Sequence, residues 1–255
     1  MNCRALAPAI VFASLCTHAF AETLAEFDDA AARLQYAFLT EDSRALEEVL
    51  AVLEDYDAEG GLDALQSYHL AYGYWKLAQL NADVPGSERR GKSGGQAAKA
   101  AQSCAEHARA ARGHDSRMAE AYAIEAACRG MPQGFLRLAG LGGSCSRSKA
   151  LDTALTLEPQ NPRVLLVEAL CLGRAQGNND ALARWRSVVE AFAAAPPAGP
   201  GAPDWGYAEA LTLLGESYLQ GGEPVAARDA IERALVIAPD YKTAVRLLQA
   251  AASAR

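Results

Sequence analysis

Residues 208–241 read AEALTLLGESYLQGGEPVAARDAIERALVIAPDY, and this stretch decides the fold. Its first half places Leu211, Leu214 and Tyr218 at helical spacing, so their side chains share one face. Glu223-Pro224 opens a second helix, with proline in a first turn where its missing N–H costs nothing. Gly215 and Ala227 are small where two helices must cross closely, and Leu211, Leu214, Tyr218 and Ile231 fill the interface with Ala234. Pro239 stops the second helix. Such a hairpin cannot bury its apolar face alone, so stacked neighbours must cover it.

Outward from this unit the chain keeps the same character. Ala-rich and Leu-rich segments with helical spacing fill it, and Val, Ile and Thr almost never alternate with polar residues at period two. The spacing predicts helices over residues 23–39, 43–58, 62–80, 95–112, 116–130, 145–157, 162–175, 179–194, 205–220, 224–237 and 241–253, which make five antiparallel hairpins and a terminal helix. Asn161-Pro162 marks another helix start, and Gly60-Gly61 a helix end. Residues 84–94 and 131–144 are Gly-rich and Ser-rich and are expected as loops, whereas the proline-rich run 195–204 is expected to be stiff and extended.

The pattern Leu211, Leu214, Gly215, Tyr218, Ala227, Ile231, Ala234 and Pro239 resembles the 34-residue tetratricopeptide consensus in spacing and residue type. Ala154-Leu155-Thr156-Leu157-Glu158-Pro159 parallels Ala234-Leu235-Val236-Ile237-Ala238-Pro239, so a second repeat ends there, and residues 162–194 form a degenerate third. The resemblance implies an all-α fold of antiparallel hairpins stacked as a right-handed α-solenoid over residues 22–255, with residues 241–253 as the capping helix. It also implies an inner groove, for which Thr212, Glu216 and Leu219 are the candidates in the last repeat. Asn161-Pro162-Arg163-Val164-Leu165-Leu166 and Pro203-Asp204-Trp205-Gly206 together are similar to a group of bacterial exported repeat proteins of undefined function.

The N-terminus reads as a secretory leader over residues 1–21: one charge at Arg4, an apolar stretch from Ala5 to Thr17, then Ala19-Phe20-Ala21 as a small-x-small cleavage signal. The apolar stretch is too short to span a bilayer, and no later run approaches the ~20 apolar residues a transmembrane helix requires. Leu15 before Cys16 disfavours a lipid anchor. The formal charge of −7 becomes −8 once the leader and its Arg4 are removed, a balance that repels nucleic acid. Cys104, Cys128, Cys145 and Cys171 remain, and an even number in an exported chain favours disulfides. Ser103-Cys104 recurs as Ser144-Cys145, and Ile124-Glu125-Ala126-Ala127-Cys128 as Val167-Glu168-Ala169-Leu170-Cys171. This duplication favours Cys104 with Cys128 and Cys145 with Cys171, with crossed pairing left open.

One motif suggests chemistry. Gly86-Ser87-Glu88-Arg89-Arg90-Gly91-Lys92-Ser93 matches the phosphate-cradling G-x-x-x-x-G-K-S loop. That chemistry needs a β-strand before the loop so that its N–H groups converge on phosphate, and the preceding Tyr74-Trp75-Lys76-Leu77 reads as helix. Cys104, His107, His114 and Cys128 contain zinc-ligating types at a spacing that fits no standard zinc site. The adjacent acid pairs Asp28-Asp29, Glu47-Glu48 and Glu54-Asp55 diverge around their helices and read as solvated faces. Tyr68, Tyr72 and Trp75 share one face and are expected in the core, while Tyr74 points elsewhere and is a further groove candidate.

The reading that emerges is a periplasmic scaffold or adaptor of a Gram-negative bacterium, without catalytic residues, cofactor or metal, binding a protein or peptide partner. The alternative is a solute- or lipid-binding helper of a transport system, which a dry pocket would favour. Nucleotide binding at residues 86–93 is the remote alternative.

Overall fold

The computed structural model of the chain describes residues 29–60, 63–82, 87–131, 145, 148–172, 178–199 and 202–253. The leader and residues 132–144 of the sequence-predicted loop 131–144 lie outside them. Over the described residues the chain is all-helical: α1 (29–39), α2 (Ser43–Gly60), α3 (Ala64–Ala82), α4 (Ser87–His114), α5 (Ala119–Arg129), α6 (Lys149–Leu157), α7 (Pro162–Leu172), α8 (Asn178–Ala194), α9 (Tyr207–Gln220), α10 (Pro224–Ile237) and α11 (Lys242–Ser253).

Local chemistry sets these boundaries. Asp63 and Gln66 form a reciprocal capping box at the start of α3: the Gln66 amide donates to Asp63 Oδ1 at 2.8 Å, and the Asp63 amide to Gln66 Oε1 at 3.0 Å. Asp42 accepts from the Ala45 amide at 2.9 Å, Ser148 from Ala150 at 3.3 Å, and Asn161 from Arg163 at 2.9 Å just before Pro162. Each satisfies a helix-terminal N–H that has no intrahelical partner.

Consecutive helices pack as hairpins: α3 on α4, α9 on α10, and α11 against both α9 and α10. In the last hairpin a Cβ added to Gly215 would lie 2.5 Å from Ile231 Cγ1 and 3.2 Å from the Ala227 carbonyl, so the crossing is close enough to need glycine. Leu211, Leu214, Ala227, Ile231 and Ala234 are buried there, Tyr218 is half-buried, and Pro239 is exposed beyond the helix end. In α4 the small residues Ala97, Ala100, Ala101, Cys104, Ala108 and Ala111 form a buried stripe at helical spacing, which lets α3 and α5 approach closely.

The helix α4 corrects the expectation of a loop over residues 84–94. It begins at Ser87, so residues 87–94 are helical, and the G-x-x-x-x-G-K-S match, the remote alternative, has no preceding strand among the described residues.

The ends of the array meet. The Tyr36 hydroxyl donates to Asp240 Oδ2 at 3.4 Å, and Thr243 Oγ1 to Glu41 Oε1 at 3.0 Å. Arg246 grips Glu41 with NH1 to Oε2 at 2.8 Å and NH2 to Oε1 at 2.5 Å. Glu41 has a left-handed φ of 51°, which turns the chain sharply between α1 and α2 and presents its carboxylate to α11.

A candidate binding site where the array closes

Closure fills the inside of the array. From α3, Tyr68, Tyr72 and Trp75 are buried, as the sequence implies, and Trp205 joins them, stacked on Tyr72 at 4.9 Å between centroids and edge-on to Trp75 at 5.6 Å. Lys76 is fully buried in this cluster, with Nζ 2.6 Å from Glu209 Oε2, 4.1 Å from the Trp75 ring centroid and 4.3 Å from that of Phe38. Burial pushes the Lys76 ammonium below the usual lysine range, and the Glu209 carboxylate opposes that shift.

A second polar chain crosses beside it. Trp205 Nε1 donates to the Tyr68 hydroxyl at 2.7 Å, and that hydroxyl donates to Glu120 Oε2 at 2.6 Å. Glu120 Oε1 accepts from Asn161 Nδ2 at 2.9 Å and lies 3.5 Å from Arg163 NH1. Trp205, α3, α5 and the start of α7 are thereby tied to one another. Burial holds the phenols of Tyr68, Tyr72 and Tyr241 well above the ordinary tyrosine value, with neighbouring Glu120 or Glu209 adding to the effect.

The groove candidates fare differently. Thr212 is 1% exposed and its hydroxyl is turned back on the Ala208 carbonyl at 2.7 Å, so it lines no groove. Tyr74 is half-buried, its ring stacked on His107 at 5.6 Å and its hydroxyl donating to Glu54, which holds it between α2 and α4. Consensus spacing assigns Thr212 to an inner face, and one turn earlier on the same helix Glu209 meets Lys76 of α3. Glu216 and Leu219 are half-buried further along α9.

The open surface is instead a trough at the junction of the two ends. Its centre is a cavity of about 600 Å³ with walls that include Tyr36, Phe192, Trp205, Tyr207 and Tyr241 and with Arg163, Asp204 and Asp240 as its charged residues. Phe192 and Tyr207 are stacked at 5.4 Å with 10° between their planes. On one side it adjoins a depression bounded by Lys242, Val245 and Arg246, sharing Tyr36, Pro239 and Asp240; on the other it adjoins one bounded by Glu158 and Glu190, sharing Pro162, Arg163 and residues 195–198. The proline-rich run thus forms a wall common to two depressions. Its end is fixed by Gly206, whose φ of 103° is open to glycine and where a Cβ would lie 2.8 Å from Phe192 Cζ and 2.9 Å from Leu166 Cδ2.

Away from the trough, Cys104 is joined to Cys128 and Cys145 to Cys171, with Cα–Cα distances of 6.2 and 4.9 Å, inside the range a disulfide spans. These are the two pairs that the duplicated unit favours. Gly130 lies between them, with room for no side chain: an added Cβ would meet Cys145 Cβ at 2.6 Å. Among the described residues no group of three or more His, Cys, Asp or Glu is placed to hold a metal ion.

Sequence reasoning missed Lys76, Glu120, Arg163, Trp205 and Glu209. The signal that could have found some of them is the pair of segments Asn161–Leu166 and Pro203–Gly206, which share a resemblance in sequence and meet in space, with Arg163 NH2 4.0 Å from Asp204 Oδ1.

No known protein-family profile matches the chain, and no curated protein sequence does. Among solved structures it is similar to TTC0263, a thermophilic tetratricopeptide repeat protein of Thermus thermophilus, with TM-score 0.52 at 16% identity over 82% of this chain and 90% of that one. It is also similar to the HusA haemophore of Porphyromonas gingivalis, with TM-score 0.55 at 22% identity over 76% of this chain and 92% of that one. The chain therefore has the all-α, tetratricopeptide-type solenoid fold.

Proposed function

We propose that this chain is an exported, non-catalytic scaffold that binds a protein or peptide partner in the trough where its two ends meet. One observation carries the reading: the usual inner face is filled by Lys76, Glu209 and the aromatic cluster, while three adjoining depressions leave an elongated, partly apolar surface at the junction. An extended segment fits such a surface better than a compact substrate does. Tyr36 and Ile237, at 59% and 48% exposure, put apolar area at its mouth.

A non-catalytic role is supported by the titration chemistry. The shifted phenols move away from neutrality, and the buried ammonium is sealed against Glu209 where substrate cannot reach it. A periplasmic location is supported by the leader-like residues 1–21, by two joined cysteine pairs, and by the fact that no described helix is long and apolar enough to cross a membrane.

The test is site-specific photocrosslinking in the periplasm. A photoreactive residue at Ile237 should trap one dominant partner, whereas one at Val225, 84% exposed on α10, should not. Equal trapping at both positions would contradict the trough as the binding surface.

A second reading is favoured by the cavity and by the likeness to a protein named as a haemophore: the same trough takes a small apolar solute. Native mass spectrometry of the protein purified from the periplasm separates the two, since a retained small molecule favours the second.

A further inference from the structure

We propose that the partner segment is basic, and that a lysine or arginine side chain of an extended peptide enters the cavity between the two ends. This rests on the scaffold reading above and names the chemistry of its partner. The wall includes the ring of Tyr36, 59% exposed, a surface that attracts a cation on an aliphatic stem, beside the buried rings of Phe192, Trp205 and Tyr241. The rim supplies two exposed carboxylates, Asp204 at 89% side-chain exposure and Asp240. Asp240 receives a 3.4 Å hydrogen bond from Tyr36, and Asp204 lies 4.0 Å from Arg163.

Arg163, the one cation among the described residues of the cavity wall, is mostly buried. Its side chain is 15% exposed, pairs with Glu120 at 3.5 Å, and stands 6.0 Å from the Phe192 ring centroid. The charge left facing solvent is therefore acidic, in a chain whose net charge is −7. A basic side chain would be steered in by that field and held by the Tyr36 ring and the carboxylates together, whereas an acidic segment would meet two like charges. Inside the same molecule Lys76 shows the arrangement completed, with one carboxylate and aromatic faces around an ammonium.

The experiment is selection of random dodecapeptides displayed on phage against the full-length mature chain, followed by affinity measurement of the selected peptides. Expected is enrichment of a lysine or arginine at one fixed position, with affinity falling about tenfold when that residue is replaced by norleucine or citrulline. The Asp204→Asn/Asp240→Asn double variant should show the same loss, with an unchanged urea midpoint because both carboxylates are exposed. The norleucine peptide needs no protein variant, so a folding defect cannot mimic the result. Selected peptides that lack a basic residue, or that bind the double variant as well as the wild type, overturn the basic-partner proposal and leave the trough reading standing. Failure to select any peptide overturns both.

Discussion

Lys76 Nζ and Glu209 Oε2 lie 2.6 Å apart although 133 residues separate them, and the lysine is fully buried. An ion pair taken out of water gains little over a well-packed apolar pair, but removing one partner strands the other charge. Lys76→Met should therefore lower stability by about 3–5 kcal/mol, and Lys76→Met/Glu209→Leu should recover most of that loss. Urea midpoints of the two variants check this, and equal destabilisation in both would show that the pair is not what joins α3 to α9.

Four tyrosines should ionise late. The phenols of Tyr68, Tyr72, Tyr74 and Tyr241 are raised in the folded chain, chiefly by burial. A raised folded value means that their contribution to stability is complete below the unfolded value of 10.0 and is lost as pH climbs above it. The depressed Lys76 ammonium acts the other way below its unfolded 10.5, as one group against four. Absorbance at 295 nm should accordingly show these four phenols ionising late, together with loss of helical circular dichroism.

Each cysteine pair closes a short loop, with sequence separations of 24 and 26 residues. A non-reducing peptide map should recover Cys104 linked to Cys128 and Cys145 linked to Cys171, and Cys104→Ser/Cys128→Ser should cost about 3 kcal/mol. Four free thiols in protein taken from the periplasm would overturn both the pairing and the export argument.

The close crossing in the last hairpin gives a packing prediction. Gly215→Ala drives a methyl against Ile231 Cγ1 and should destabilise by about 1–3 kcal/mol, and combined with Ile231→Ala, which removes that carbon, it should cost less than the sum of the two single losses. Thermal unfolding of the single and double variants measures the coupling.

How much of this was legible in the sequence follows from the range of each interaction. Gly215, Ala227 and Ile231 announce their hairpin because they touch within one repeat, where spacing and contact coincide. The cysteine pairs are readable for a related reason, a unit written twice. Lys76, Glu120, Trp205 and Glu209 carry no such mark: they meet because the array curves until its ends touch, and curvature is the sum of many small repeat-to-repeat rotations that no local pattern encodes. The same closure explains why Thr212, placed on an inner face by consensus spacing, is buried and not a groove residue. Residues 87–94 misled in the opposite sense, since their Gly and Ser content reads as a loop and the backbone there is helical.

The central claim is that the two ends of the array meet and that the trough exists because they do. Spin labels at Thr40 and Gln249, which border one depression across the junction, measure this directly by electron–electron distance spectroscopy. Only the introduced cysteines would carry label if the four native ones are joined in pairs. A short, narrow distance distribution that broadens and lengthens in Glu41→Ala/Arg246→Ala is the predicted result. A long separation of several helix diameters, ~10 Å each, in the unaltered protein would contradict it and leave an open solenoid without the trough.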